Sequence, residues 1–527
     1  MKKFVLFLCT TLILNLSIST ADAESGDPSD KKEKENIYPV KYICESLGGD
    51  ISWKPELKTA VLKYNDNILE LKVGSNIITS NGTEKLLEDE IIISGGRTQL
   101  PLSVINSELG VDISEQDCLA IISKQFIELL LDSSIDEASA LLSRAFSNYI
   151  TEEYLKSLTE NVTALKLQDP KFEFWTNTVH KTIGIPFKEV QNIWYTIKFD
   201  REGKIDELGI QGKQAEPAPE PNYISKVSFS EKEVAFGSSP WQIPGTLTLP
   251  EGKGPFPVVI LVHDSGPADR DSTTGSIKPF RDLAAGLAAN NIAVLRYDKR
   301  SLVHSTKMQF VANVTLNEEI EQDVYQAAEY LKSVGEIDNT KIIALGYGLG
   351  GYALPRILTT AGDTFKAGII INGNSRPQYE IYPEYYQYLQ KKGYSSQGQV
   401  EYITEQVNLL KADSFDPKNP PDAYTMGKEF YFSDMKSYDV MGMAERLTQP
   451  FLVMQGQRDF LIKSDIDYTN WQKAFHLNRS SDFKLYPRLN HIFTEGEGDS
   501  TPSEYYDKAN IPQYVIDHII DFINKLE

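Results

Sequence analysis

Cysteine is scarce. The 527-residue chain has three, and Cys9 lies in an apolar run at the start, so only Cys44 and Cys118 follow it. Two thiols cannot define a disulfide scaffold, and pairing and free thiols are equally open for them. Histidine is nearly as rare: six are scattered along the chain and none falls in residues 24–118. With no Cys-x-x-Cys and no His-x-x-x-His spacing, the usual ligand sets are missing, so neither a metal nor a cofactor is expected. Basic residues are outnumbered, 53 Lys and Arg against 74 Asp and Glu, for a formal net charge of -21. That balance repels phosphate-rich polymers, and nucleic acid is excluded as an expected partner. No apolar run reaches the roughly 20 residues that span a bilayer, so stable membrane insertion is not expected either.

What is present begins with an address. Lys2 and Lys3 precede an apolar stretch over residues 4–18, and Ala21-Asp22-Ala23 offers the small residues that signal peptidase accepts. Residues 1–23 therefore read as a secretory signal peptide, and the protein as secreted and extracellular. Residues 24–36 are charged and poor in apolar side chains, a flexible leader. A gap-free repeat follows, residues 38–52 against 100–114, in which Tyr38-Pro39-Val40 answers Leu100-Pro101-Leu102 and Leu47-Gly48 answers Leu109-Gly110. Each copy predicts a short helix stopped at a glycine and then a strand.

On these residues, the stretch 37–118 resembles the module named after the N-terminal region of copper amine oxidases. The resemblance implies attachment to a cell wall or surface polymer, with a spacer or folding role as the plainer alternative. The name suggests copper, but without histidine the stretch lacks copper's preferred ligand, and no metal is inferred. Residues 119–211 change character. Ile121, Ile122, Phe126, Leu129 and Leu130 recur at helical spacing, and the alternating runs 172–175 and 193–199 predict strands, hence a small α+β domain. It resembles a small domain of unknown function that often precedes exported bacterial hydrolases. Trp175 and Trp194 could line a ligand pocket or simply fill a core. Residues 212–222, with Pro217, Pro219 and Pro221, read as a stiff linker.

From residue 223 to 527 apolar strands alternate with helices, the pattern of an α/β fold with a doubly wound, mostly parallel sheet. Runs 245–249, 258–262, 293–297, 342–345, 367–371, 451–455 and 482–486 are the predicted strands; 280–290, 316–333 and 351–360 are predicted helices. In such sheets chemistry sits beyond the carboxyl ends of the strands. After 342–345 comes Gly346-Tyr347-Gly348-Leu349-Gly350-Gly351, the glycine frame of a G-x-S-x-G nucleophile elbow with Gly348 at the serine position. Asp459 follows a later strand and His491 the last one, the chain order nucleophile, acid, histidine of an α/β-hydrolase triad. In that scheme Asp459 orients His491 and stabilises its protonated form.

The resemblance is to bacterial α/β-hydrolases that act as esterases on acyl esters. It runs through His263-Asp264-Ser265-Gly266-Pro267-Ala268-Asp269-Arg270-Asp271, Leu295-Arg296-Tyr297-Asp298-Lys299-Arg300, Asn374-Ser375-Arg376-Pro377 and Asn490-His491-Ile492-Phe493. It implies a small acyl-ester-like ligand, a cap formed by about residues 376–439, and an oxyanion hole built from backbone N–H groups at Leu349 and in the loop at Asp264. Two departures fall on chemistry: the family has serine at Gly348 and glycine at Asp264. The first removes the atom that forms an acyl-enzyme; the second puts a carboxylate near a developing oxyanion. Neither Ser265 nor Tyr347 is expected to reach the elbow apex. The expected function is a catalytically impaired binding or surface-associated pseudo-hydrolase. The alternative is an active carboxylic-ester hydrolase using His491 and Asp459 with a relocated nucleophile or activated water. Tyr379, Tyr382, Tyr385, Tyr386 and Tyr388 crowd the cap, either as ligand-binding surface or as packing.

Overall fold

The computed structural model describes residues 36–94, 96–167, 171–224 and 229–526, so the expected signal peptide and nearly all of the leader lie outside the described residues. Among the described residues two compact units result, one formed by Lys213–Ser305 with residues 311–526 and the other by residues 36–212 with Thr306–Phe310.

The first unit is built on eight strands: β1 (Phe229–Phe236), β2 (Ile243–Pro250), β3 (Phe256–Val262), β4 (Ala293–Tyr297), β5 (Ile337–Tyr347), β6 (Ala367–Ile371), β7 (Phe451–Gly456) and β8 (Asp482–Tyr486). Their order across the sheet is β1-β2-β4-β3-β5-β6-β7-β8. The β1–β2 and β2–β4 pairs are antiparallel, and every pair from β4 through β3 to β8 is parallel. This is an α/β-hydrolase sheet. Its central strands are continuous apolar runs because both faces are covered. Val258, Ile260 and Ala344 belong to one buried cluster, while Val259, Leu261, Ile343 and Leu345 belong to the cluster on the other side. The period of two divides each strand between the two layers. Each such valine, leucine or isoleucine side chain, fully buried, contributes about 1.5–3 kcal/mol relative to exposure.

Strand β1 had no sequence signal. Its Glu231, Lys232 and Glu233 interrupt any apolar alternation, and the strand is largely exposed at the sheet edge, where charge discourages pairing with another chain. Glu233 instead receives Arg270 at 2.6 Å, and Glu231 receives Arg296. Between β6 and β7 the chain forms the helices Gln378–Lys391, Gln397–Lys411 and Glu429–Ser437, in the stretch expected to be a cap.

The second unit contains a five-stranded antiparallel sheet, Asp50–Lys54 to Thr83–Leu86, and a three-stranded one in which Ile37–Pro39 and Ile92–Ser94 flank Arg97–Pro101. Glu173–Thr176, Lys181–Pro186, Ile193–Phe199 and Ile205–Gly212 make a four-stranded sheet. The two copies of the repeat meet at their strands, with Tyr38 opposite Leu100, and each continues into a helix, Val40–Ser46 or Leu102–Leu109. The strand predicted after each helix exists only in the first copy, as Asp50–Lys54. In the second, Ser114 and Asp117 form a capping box that starts the helix Glu115–Leu131, so the chain turns helical at the point where the copy would extend. One apolar cluster runs through both expected modules, from Tyr38 and Cys44 to Phe126 and Ile183. Cys44 and Cys118 are buried free thiols. Trp175 and Trp194 pack edge to face, ring centroids 5.8 Å apart. Among the described residues no helix is long and apolar enough to cross a membrane.

Candidate active site

Strand β5 ends at Tyr347 and the helix Leu349–Ala361 starts two residues later, leaving Gly348 alone at the turn with φ 53° and ψ -117°. An L side chain there costs about 1–2 kcal/mol through its Cβ, which glycine avoids. The Gly348 N–H donates to the Ile371 carbonyl at 3.0 Å and ties the turn to β6. On either side, a Cβ at Gly346 would meet the backbone of Gly350, and one at Gly350 would meet the Val262 carbonyl. The glycine frame therefore lets strand, turn and helix close on each other.

Three strand ends converge on this turn. The loop after β3 carries Asp264, the loop after β7 carries Asp459, and the loop after β8 carries His491. His491 Nδ1 lies 2.7 Å from Asp459 Oδ2, and His491 Nε2 lies 3.1 Å from Asp264 Oδ2. The other oxygen, Asp264 Oδ1, accepts from the backbone N–H of Leu349 at 2.8 Å and of Ser265 at 2.7 Å. A Cβ built on Gly348 would come within 2.5 Å of Asp264 Oδ2, and nearer still to Cγ and Oδ1. The carboxyl group of Asp264 thus stands in the volume that a side chain at 348 would take.

All five positions singled out in the sequence, Gly348, Leu349, Asp264, Asp459 and His491, are brought together. Asp264 enters differently from expectation. The N–H that converges with that of Leu349 belongs to Ser265, and Asp264 contributes its carboxylate, because a side chain at 264 is long enough to fold back over the empty apex. Tyr347 points elsewhere: its hydroxyl donates to the His491 carbonyl at 2.5 Å.

Electrostatics follow from this geometry. Burial disfavours the charged form of His491, but the charge of Asp459 and the hydrogen bonds to Asp264 and Asp459 outweigh it and push its pKa up to about 10. Burial likewise opposes ionisation of Asp264, yet His491 and the two N–H donors hold its pKa below the ordinary carboxylate value. At neutral pH an imidazolium bridges two carboxylates. Of the three, the Asp264 side chain is the one that solvent reaches, at 23% exposure against 7% for His491.

Among the supporting residues, Lys299 and His263 lie in runs that carried the resemblance, whereas Asn372 had no sequence signal of its own. Asn372, just past β6, donates to the carbonyls of His491 at 2.7 Å and Asn490 at 3.1 Å and accepts the Gly456 N–H at 2.8 Å, joining three strand ends. Asp459 is held by the N–H groups of Leu461 and Ile462 at 2.8 and 2.9 Å. Lys299 donates to the Asp264 carbonyl and to Glu319, both at 2.7 Å. His263 is kept neutral by burial, which lowers its pKa to about 4, and lies 2.6 Å from the Tyr297 carbonyl. In the cap, Tyr385 and Tyr388 stack on Phe460 at 6.0 and 5.4 Å and serve packing. Tyr382 and Tyr431 are different: burial first, with the negative charges of Glu319 and Asp264 adding to it, holds both phenols protonated well above the usual range.

Two family models match the chain: copper amine oxidase N-terminal domain over residues 29–118 and prolyl oligopeptidase family over residues 305–509. The copper in the first name finds no donor set here. The matched stretch has no histidine, and the buried Cys44 thiol faces the backbone carbonyls of Asp50 and Lys63. Among solved structures, Est1E from Butyrivibrio proteoclasticus aligns with a TM-score of 0.36 and 15% identity, over 56% of this chain and 99% of its own. The Pyrococcus horikoshii acylaminoacyl peptidase aligns at 0.39 and 15%, over 67% and 49%. Sequence carries the relationship. Esterase EstD of Thermotoga maritima is 34% identical over 335 residues, 62% of this chain and 76% of the relative. The chain therefore belongs to the α/β-hydrolase family that includes Esterase EstD.

Proposed function

We propose that this is an exported, surface-associated pseudo-esterase, an esterase-family protein in which the serine acyl-enzyme route is closed. One observation carries the reading: the Asp264 carboxylate fills the volume above Gly348 and accepts both N–H groups, Leu349 and Ser265, that would otherwise receive an oxyanion. With Gly348 there is no hydroxyl to acylate, and with Asp264 in place an ester carbonyl finds negative charge where its own would develop. The test is a panel of p-nitrophenyl acyl esters together with a fluorophosphonate probe. Neither turnover above buffer nor covalent labelling is expected; robust labelling would overturn the reading. The N-terminal match supports a cell-wall or surface-polymer partner, checked by sedimentation of the full chain with isolated cell wall. Release of all protein into the supernatant would remove that part.

The exposure of Asp264 favours a second reading, an active carboxylic-ester hydrolase with a relocated nucleophile. It expects ester turnover that vanishes in His491→Ala and that survives without fluorophosphonate labelling. Equal inertness of both proteins ends it.

A further inference from the structure

We propose that Asp264 is itself a carboxylate nucleophile for strained sp³ carbon, so that the site closed to acyl esters opens epoxides to vicinal diols. The inference goes beyond the loss of the serine route and rests on the same placement of Asp264. Three features carry it. The carboxylate stands at the elbow apex, the place from which this fold delivers a nucleophile. Its two oxygens are already differentiated, Oδ1 held by two backbone N–H donors and Oδ2 beside His491, and the side chain is solvent-accessible. Behind it stands a complete histidine–aspartate pair that no serine employs.

The steps balance. An Oδ2 lone pair attacks an epoxide carbon, the ring C–O bond breaks, and its electron pair goes to the ring oxygen, which takes the proton from His491 Nε2. A hydroxyalkyl ester of Asp264 results. Because Asp264 is now uncharged, His491 has lost one of the two negative neighbours that kept it protonated, and it is left neutral. It then takes a proton from a water molecule as the water oxygen attacks Asp264 Cγ. The negative charge that forms on Oδ1 sits between the N–H groups of Leu349 and Ser265, which is where stabilisation is needed. Collapse expels the diol oxygen, which takes the proton back from His491; the resulting carboxylic acid of Asp264 returns its own proton to His491. Epoxide and water give diol, and the ion pair is restored.

An epoxide fits better than an alkyl halide because the group beside the attacking oxygen is a proton donor to oxygen. The donor is His491, an imidazolium whose Nε2 lies 3.1 Å from Asp264 Oδ2.

The experiment uses the full chain in excess over styrene oxide in H₂¹⁸O for a single turnover. Because water attacks Cγ and the alkyl–oxygen bond survives, the diol is expected unlabelled and the peptide containing Asp264 is expected to gain ¹⁸O. Label in the diol with none in that peptide would mean direct attack by water and overturn the proposal, as would diol formation no faster than in buffer. Asp264→Asn keeps the shape and the Oδ1 acceptor; it is expected to lose diol formation by ~10²-fold or more, with an unchanged circular dichroism spectrum. Undiminished turnover in that variant also overturns the proposal. The p-nitrophenyl ester panel run on the same preparation separates the two readings, since ester turnover bears on the pseudo-esterase reading and leaves the ¹⁸O result untouched.

Discussion

At the scale of single residues, Gly348 and Asp264 behave as one change. A side chain at 348 and a carboxylate at 264 claim the same volume, so restoring serine alone does not restore a site. Gly348→Ser is expected to be inactive on p-nitrophenyl butyrate and less stable, by about 1–2 kcal/mol from the φ of 53° alone, with the overlap added. Gly348→Ser combined with Asp264→Gly vacates the volume and frees the N–H groups of Leu349 and Ser265. That double variant is expected to gain ester turnover and fluorophosphonate labelling, and a silent double variant would show that the site has decayed further. The ion pair has its own signature. The pKa of His491 is raised to about 10 in the folded chain, above its ordinary value near 6.5, so the bridge contributes in full below about pH 6.5 and is lost as pH rises toward 10. Asp264 is depressed, so its contribution is lost instead as pH falls below the ordinary carboxylate range. Urea midpoints measured from pH 6 to 10 are expected to fall, and to fall less steeply in Asp264→Asn, where one of the two charges that keep His491 protonated is gone.

At the scale of elements, the site is a set of strand ends stitched together by backbone-directed side chains. Asn372 is the clearest case, serving three carbonyl and N–H groups from the ends of β7 and β8. Asn372→Ala leaves the buried Gly456 N–H unpaired, while the carbonyls of His491 and Asn490 keep the Tyr347 hydroxyl and the Phe493 N–H; it is expected to cost about 1–3 kcal/mol, read as a lower urea midpoint. Because the His491 loop then loses a tether, the imidazole resonance is also expected to broaden. This division explains what the sequence could convey. Runs such as 293–297, 367–371 and 482–486 coincide with β4, β6 and β8, because continuous apolar strands and the glycine frame at 346–351 are local signals. The chain order of Gly348, Asp459 and His491 was legible for the same reason. What escaped was determined at a distance. Strand β1 is specified by its partner β2, by Arg270 of the loop after β3 and by Arg296 of β4, not by its own pattern. The folding of the Asp264 carboxylate over Gly348 depends on a vacancy 84 residues away in sequence, which no local pattern encodes.

At the scale of the whole molecule, the chain is interlaced. It leaves the hydrolase unit after Ser305, gives Thr306–Phe310 to the second unit and returns at Val311, so cutting at the 212–222 linker does not yield a self-contained hydrolase unit. What that short segment brings is Lys307, whose ammonium is fully buried and lies 2.9 Å from Asp206 Oδ2. Asp206 also faces His180 Nε2 at 3.0 Å and accepts from the Ser143 hydroxyl at 2.6 Å. Burial opposes its ionisation, but His180 and Lys307 outweigh that and hold the carboxyl far below its ordinary value, while burial keeps His180 neutral with a pKa lowered to about 4. A buried pair of this kind adds little net stability over apolar packing, yet breaking one side of it is expensive, because the remaining charge has no water to turn to. Asp206→Ala is therefore expected to cost about 3–5 kcal/mol, seen as a lower urea midpoint by circular dichroism. Adding Lys307→Met removes the buried ammonium that has lost Asp206, and this double variant is expected to recover much of the loss. If it is no more stable than Asp206→Ala, the cost lies in the hydrogen bonds to Ser143 and His180 and not in the buried charge. The same logic makes residues 213–527, expressed without the second unit, a poor surrogate for the full chain: Lys307 would be present without Asp206.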